Sequence, residues 1–165
     1  MNTELPSKNA PTNIRHVATP KRTQYSTFVV AGHLYGVPVM RVREVVRPLP
    51  ITEIPLASPF VHGLINLRGQ VVTAIGIHRL FGITSPPSGV LMNVICECGM
   101  SLISLQADEI GDVIELDSEQ LEPVPATSAD QVRDLVAGVY RMPGRILSII
   151  DVDSIFTRLS EHNAK

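Results

Sequence analysis

Two stretches of the sequence resemble each other, GLINLRGQVVTAIGIHRLF at residues 63–81 and GVYRMPGRILSIIDVDSIF at residues 138–156. They align without a gap at an offset of 75 residues, and apolar positions match along their length. Two hairpins of one type can share such a pattern by chance, but glycine and phenylalanine match at the two ends, which favours an internal duplication. The identical pairs are Gly63/Gly138, Gly69/Gly144, Ile75/Ile150 and Phe81/Phe156.

Each stretch predicts a β-hairpin followed by a helical segment. Arg68-Gly69 and Pro143-Gly144 are turn signals between two apolar runs. After the second run, the pattern predicts one helical turn over 78–81 in the first copy. In the second copy it predicts a helix over about 152–162, with Asp151 or Asp153 as its N-cap.

The composition of the 165-residue chain favours strands throughout. There are 19 valines and 15 isoleucines, the aromatic fraction is 4%, and 13 prolines and 11 glycines supply turns. Short strands with frequent turns predict small barrels, here one of about 23–82 and one of about 90–157. Neither half alone buries much surface, so the two are expected to share an interface. Residues 1–22 are predicted to be a flexible tail, and 158–165 the end of the last helix and a tail.

Charge and hydropathy exclude several classes of protein. The net charge is −2 and the isoelectric point is near 6.2, which argues against a nucleic-acid-binding protein with a broad basic face. No apolar run approaches the length of a membrane span, so no direct membrane insertion is expected. Prolines at 6, 11 and 20 stand where a signal peptide needs an apolar core, so the chain is predicted to be cytoplasmic.

No set of catalytic or metal-binding residues is recognisable. The sequence lacks a P-loop, a dinucleotide fingerprint and a G-x-S-x-G motif, so no enzymatic activity is expected. Cys96 and Cys98 stand one residue apart and would face the same side of a strand, as structural, reduced thiols. Two cysteines and scattered histidines do not make a metal site, and no cofactor is predicted.

Several motifs occur in a fixed order along the folded region. YGVPVMRVREVVR at 35–47 precedes ITEIP at 51–55 and FVHGLINLRG at 60–69, and the second half contains ADEIGDV at 107–113 and EPVP at 122–125. Together they resemble the CheW family of chemotaxis coupling proteins over about residues 25–157. The most specific element is Asn66-Leu67-Arg68-Gly69, about twenty residues after Val42-Arg43-Glu44-Val45.

The resemblance implies a mainly β fold of two SH3-like β-barrels packed together, with a short helix after the first and a C-terminal helix. It implies a non-enzymatic adaptor without cofactors that couples the cytoplasmic tip of chemoreceptors to the regulatory domain of the histidine kinase CheA. Such a protein is cytoplasmic and is recruited to membrane-associated receptor arrays. The alternatives are a paralogue serving a non-flagellar array, such as type IV pili or surface sensing, and a small-ligand sensor with a site between the barrels.

The resemblance also implies positions for the contact with receptors. Arg68 has two interpretations: it pairs with a receptor acid or holds Glu44 in place, or it merely locks the Gly69 turn together with Asn66. The kinase surface is not assigned to residues, although exposed apolar side chains at a barrel end are expected. The receptor-contact candidates are Val42, Glu44, Gly63 and Arg68, and the structural-turn candidates are Asn66 and Gly69.

One position departs from the family pattern. Family members usually have an aspartate at the end of the strand after the NLRG turn, and this chain has Gly76 there. The aspartate is present at the equivalent position of the second copy, Asp151. We therefore expect a weakened N-cap for the short helix of the first copy.

Overall fold

Ten strands and three α-helices form in the described part of the chain. The computed structural model describes residues 21–87 and 89–163, so nearly all of the tail expected at 1–22 lies outside it. The strands are β1 (Arg22–Val30), β2 (His33–Pro38), β3 (Val42–Val46), β4 (Val61–Leu67), β5 (Gln70–Gly76), β6 (Met92–Cys98), β7 (Ser101–Ala107), β8 (Glu109–Asp117), β9 (Val136–Met142) and β10 (Arg145–Ile150). The helices are α1 (Ile77–Leu80), α2 (Asp130–Leu135) and α3 (Val152–Asn163).

The strands form two five-stranded sheets. The central sheet has the order β3-β6-β7-β5-β4 and uses residues 42–107 alone. The terminal sheet has the order β8-β1-β2-β10-β9 and joins the beginning of the chain to its end. Each sheet contains one parallel pair, β5 with β7 and β10 with β2, among antiparallel pairs. The predicted fold class, two packed SH3-like β subdomains, is confirmed.

The division of the chain between the sheets differs from the predicted one at about 23–82 and 90–157. Each sequence copy contributes a hairpin to one sheet and its remaining three strands to the other, so the copies exchange strands. The cause lies in two connections, Val39–Arg41 before β3 and Asp108 alone before β8. Neither is a two-residue reversing turn, so the chain continues onto the neighbouring sheet instead of folding back.

The repeated stretches nevertheless fold alike. The last paired residues before the turn are Leu67 and Gln70 in the first hairpin and Met142 and Arg145 in the second. Both hairpins therefore have two-residue turns. Each hairpin leads directly into a helix, α1 or α3. The hairpin-and-helix prediction is therefore confirmed in both copies, with helix bounds one residue from those expected.

The largest apolar cluster lies between the two sheets. It combines side chains of β1 and β2 with those of β5, β6 and β7, and the helices contribute Leu80, Leu135 and Ile155. Smaller clusters fill each subdomain, one around Ile65 and one around Tyr140. Because this cluster is the largest, most of the apolar burial lies at the shared interface that the sequence predicted. Each fully buried aliphatic side chain there contributes about 1.5–3 kcal/mol.

Helix α2 is an element that the sequence did not predict. Ala129 at its N-cap supplies no side-chain hydrogen bond. Its stabilising contacts are tertiary: Leu135 is buried in the main cluster, and its carbonyl accepts a hydrogen bond from Asp151 N at 2.9 Å. A six-residue helix without a cap depends on such contacts because it is too short to be stable alone.

The two cysteines behave as structural thiols. Both are buried on one face of β6, and exposed Glu97 lies between them. Burial raises the pKa of Cys96 to about 12 and also raises that of Cys98. Both side chains therefore carry a proton at neutral pH and lack the thiolate that nucleophilic or metal-binding cysteines need.

None of the helices within 21–87 and 89–163 is both long enough and apolar enough to cross a membrane.

Candidate functional site

The turn between β4 and β5 presents Arg68 at the surface. Arg68 and Gly69 occupy the two central positions with φ of +52° and +84°, the combination of a type I′ hairpin turn. Asn66 Oδ1 accepts a hydrogen bond from Gly69 N at 2.8 Å. The side chain of Asn66, rather than that of Arg68, therefore stabilises the turn. A left-handed conformation costs a non-glycine residue about 1–2 kcal/mol, so Arg68 is tolerated there despite its backbone preference.

The guanidinium of Arg68 lies against the carboxylate of Glu44 on β3. NH1 donates to Oε1 at 3.0 Å and NH2 to Oε2 at 2.8 Å, a bidentate pair. The two side chains differ in exposure, 77% for Arg68 and 21% for Glu44. Glu44 is thus the anchored partner, and the arginine keeps most of its surface free for another molecule. Of the two sequence interpretations, the contact with Glu44 is the one that the structure contains.

This ion pair bridges the two edge strands of the central sheet, β3 and β4, along a line that we call the seam. Glu44 comes from β3 and Arg68 from the turn after β4, and these strands are the two ends of the central sheet. Val42 and Val46 flank Glu44 on the same face of β3 and pack against two different apolar clusters. Glu44 is therefore positioned by its neighbours on both sides, and Val42 is half-buried rather than freely exposed.

Gly63 is buried and has a backbone role. Its φ is +147°, and a Cβ built there would lie 2.3 Å from the carbonyl oxygen of Thr52 and 2.7 Å from Cγ2 of Ile51. Next to it, Thr52 and Leu64 exchange two backbone hydrogen bonds of 2.8 Å. Gly63 thus lets the 51–52 segment lie against β4, which gives this receptor-contact candidate a structural role.

The second copy contains the same arrangement. Gly138 is the repeat equivalent of Gly63, and a Cβ there would lie 2.8 Å from the carbonyl oxygen of Glu122. Glu122 and Val139 exchange backbone hydrogen bonds of 2.9 and 2.8 Å. The matching glycines of the sequence repeat therefore serve one purpose, the close approach of an extended segment to a hairpin.

The departure at Gly76 has a local structural reason. A Cβ on Gly76 would lie 2.4 Å from Nε2 of His62, whose ring is hydrogen-bonded through Nδ1 to the buried Gln106. Helix α1 has no side-chain cap at Gly76, whereas Asp151 Oδ1 accepts from Ser154 N at 3.1 Å at the start of α3. The weakened cap expected from the sequence is confirmed, and the His62 ring occupies the space that an aspartate would need.

Replacing Gly76 with aspartate is expected to destabilise the protein by about 1–3 kcal/mol, because the new side chain displaces the His62 ring. In a His62→Ala background the same change is expected to cost less, since the space is then open and the carboxylate caps α1. Urea unfolding of the four proteins measures both values. An equal cost of Gly76→Asp in the two backgrounds would contradict this explanation.

An exposed groove with apolar and polar lining residues lies beside the same hairpin. It has a volume of about 580 Å³ and is bounded by the 54–57 loop, β5, the β6–β7 turn and α3. Leu56 and Met100 at its edge are fully exposed, and Val71 is 64% exposed. Leu56 also has φ of +62°, an uncommon conformation for leucine. The groove joins residues from distant parts of the sequence, so no local pattern indicated it.

Comparison with known proteins gives the family. The family model of the CheW-like domain matches residues 24–160, which include strands of both sheets. The chain is 27% identical over 130 residues to "Chemotaxis protein CheW" of Rhizobium meliloti, covering 78% of this chain and 84% of that protein. It is 27% identical over 143 residues to "Chemotaxis protein CheW" of Treponema pallidum, covering 81% and 82%.

A solved structure has the same fold. The scaffolding protein TtCheW from Thermoanaerobacter tengcongensis superposes with a TM-score of 0.75 at 30% sequence identity. The superposition covers 86% of this chain and 92% of that one. The two-sheet fold of this chain therefore corresponds to nearly the whole length of a protein described as a scaffolding protein.

Proposed function

Because the chain belongs to the family of CheW-like domains, we propose that it acts as a chemotaxis adaptor, coupling chemoreceptors to a CheA-type histidine kinase without catalysing a reaction. The match of residues 24–160 carries this proposal, since it extends over the whole pair of subdomains rather than over one motif. TtCheW, which shares 30% identity, is itself described as a scaffolding protein. The adaptor would act in the cytoplasm, at membrane-associated receptor arrays.

The receptor contact is assigned to the surface around Arg68. Arg68 is exposed and charged and is held in a fixed orientation by Glu44, the properties of a residue that contributes to binding and specificity. Arg43 and Gln70 lie beside the pair and extend the polar surface. Val42 and Gly63 contribute indirectly, the first by positioning β3 and the second by positioning the 51–52 segment.

The kinase contact is assigned to the groove with the exposed apolar side chains Leu56, Val71 and Met100 at its edge. Interfaces concentrate their binding energy in apolar anchors that become fully desolvated, and these exposed side chains are suited to that role. The regulatory domain of the kinase is the occupant expected from the family resemblance. The groove and the Arg68–Glu44 pair share only Gln70 among their lining residues, so both partners are expected to bind at once.

The proposal is tested by binding measurements with the full-length chain. A fragment of a chemoreceptor cytoplasmic tip and a CheA regulatory domain are each titrated onto immobilised protein, first alone and then together. Simultaneous binding of both is expected, and Met100→Glu is expected to weaken the kinase domain alone. Binding of neither partner would refute the adaptor function, and equal loss of both partners with Met100→Glu would refute the separation of the two surfaces.

A further inference from the structure

The two connections that pass from one sheet to the other, Val39–Arg41 and Asp108, are called the crossovers here. Each crossover forms an ion pair with a helix, and the crossover residue is the cation in one pair and the anion in the other. Arg41 immediately precedes β3 and pairs with Asp153, the second residue of α3. Asp108 immediately precedes β8 and pairs with His78, the second residue of α1. His78 and Asp153 are equivalent in the 75-residue repeat. The same contact is therefore built twice, once around a permanent cation and once around a histidine.

The Arg41 crossover has a fixed charge. NH1 and NH2 of Arg41 donate to the carboxylate of Asp153 at 2.9 and 2.6 Å, and Nε and NH2 donate to the carbonyl oxygen of Glu97 at 3.1 and 2.9 Å. The hydrogen bonds from Arg41 lower the pKa of Asp153. This crossover therefore stays ionised at neutral and alkaline pH, and it provides an internal comparison for the other.

The His78 crossover places an acceptor at each ring nitrogen. Nε2 is 3.0 and 3.1 Å from the two carboxylate oxygens of Asp108, and Nδ1 is 3.0 Å from the carbonyl oxygen of Ser85. An ionised carboxylate and a carbonyl accept hydrogen bonds only, so both ring nitrogens must carry a proton to satisfy them. The His78 and Asp108 side chains are each 6% exposed, which leaves little access for water as a substitute partner.

Other charged and titratable groups surround this pair. Ala31 N donates to Asp108 Oδ2 at 2.7 Å and stabilises the carboxylate from the β1–β2 turn. His62 of β4 is close enough to interact electrostatically with His78 and with Arg79 of α1, and burial is the main cause of its lowered pKa. His62 is thus neutral at neutral pH and does not oppose a charge on His78. Glu109 and Arg145 line the cavity beside Ser85 and Asp108, with opposite charges.

We propose that His78 is an imidazolium in the folded protein and serves as a proton-dependent clasp at the β7–β8 crossover. The clasp joins α1, the carboxylate of Asp108 and the connection at 83–87, which links the two sequence copies through Ser85. A neutral ring has one N–H for two acceptors. That N–H, on Nε2, stays with the carboxylate of Asp108. The lone pair of Nδ1 then faces the carbonyl oxygen of Ser85 and repels it. Raising the pH therefore releases the connection at 83–87.

The protonation state of the ring is measured directly by NMR on the unmodified, histidine-labelled chain. Long-range proton–nitrogen spectra are expected to show two protonated ring nitrogens for His78 at about pH 6, and one after the release at higher pH. The exposed His33 provides a reference ring in the same spectra. A neutral His78 tautomer at about pH 6 would overturn the proposal, and this measurement requires no variant to fold.

A double-mutant cycle tests the energetic consequence. The unfolding free energies of the wild type, His78→Gln, Asp108→Asn and the double variant give the coupling between the two residues, at about pH 6 and again at about pH 9. The coupling is expected to be favourable at the lower pH and to lose at least half of its value at the higher one. An unchanged coupling would overturn the clasp.

The matched cycle uses Arg41→Gln and Asp153→Asn at the other crossover. Its coupling is expected to be the same at both pH values, because neither Arg41 nor Asp153 titrates between them. A parallel loss in this control cycle would assign the change to a general effect of pH on the fold, and this too would overturn the proposal.

Discussion

Arg68→Glu is expected to weaken receptor binding at least about tenfold, the equivalent of about 1.4 kcal/mol, while the protein stays folded. The variant places a negative charge at an exposed position and sets it against Glu44, so the side chain no longer has a fixed orientation. The pair is largely solvent-exposed and contributes about 0–1 kcal/mol to stability, so the circular dichroism spectrum should not change. Titration of a receptor-tip fragment measures the effect.

Two further variants separate the interpretations of Arg68. Arg141→Glu removes another exposed arginine–glutamate pair, the one with Glu122 in the terminal subdomain, and should leave receptor binding unchanged. The charge-swapped double variant Glu44→Arg/Arg68→Glu rebuilds the seam pair with reversed polarity. Recovery of binding would show that the pair acts by holding the seam, and continued loss would show that the receptor reads the positive charge itself. Full receptor binding by Arg68→Glu would reject the assignment of the site.

Gly63→Ala is expected to destabilise the fold by about 2–4 kcal/mol, a large effect for a single methyl group. The Cβ would lie 2.3 Å from the backbone oxygen of Thr52, and a backbone atom cannot move aside as the end of a side chain does. The φ of +147° adds conformational strain for any L-residue. Denaturant unfolding measures the loss, and the 51–52 segment is expected to detach from β4 before global unfolding.

Two glycines separate the steric cost from the backbone cost. Gly69 has φ of +84° and no atom within 4 Å of its Cβ position, so Gly69→Ala is expected to cost about 1 kcal/mol from strain alone. Gly138 has the close backbone contact but no comparable φ, so Gly138→Ala reports the steric part. If Gly63→Ala costs no more than Gly69→Ala, the close approach to Thr52 is not what requires glycine.

Local sequence signals predicted the hairpins and their turns. Asn66 and Gly69 stand at positions where a type I′ turn needs an amide acceptor and a positive φ, so their arrangement followed from residue chemistry. Cys96 and Cys98 were expected on one face of a strand because side chains alternate with a period of two. These features depend on neighbours within a few residues, which is the range over which sequence patterns are informative.

The partners of the candidate site were less predictable. Glu44 was named as a partner of Arg68 only through the family resemblance, since no spacing rule shows that β3 and the β4–β5 turn lie side by side. Gly63 was a receptor-contact candidate, and only the position of Thr52 shows why the backbone needs glycine there. Leu56 and Met100 come from separate loops, so the groove that they border exists only in the folded chain.

The sequence by itself determined the elements of this protein: β-branched strands, a hairpin-and-helix unit present twice, and the residues of its tight turns. The tertiary structure alone decided how these units combine. The short connections Val39–Arg41 and Asp108 divide each copy between the two sheets, two strands in one and three in the other, and the main apolar cluster lies between the sheets. The physical reason is that turn and strand preferences are local, whereas the choice of sheet partner depends on apolar burial between residues far apart in the chain.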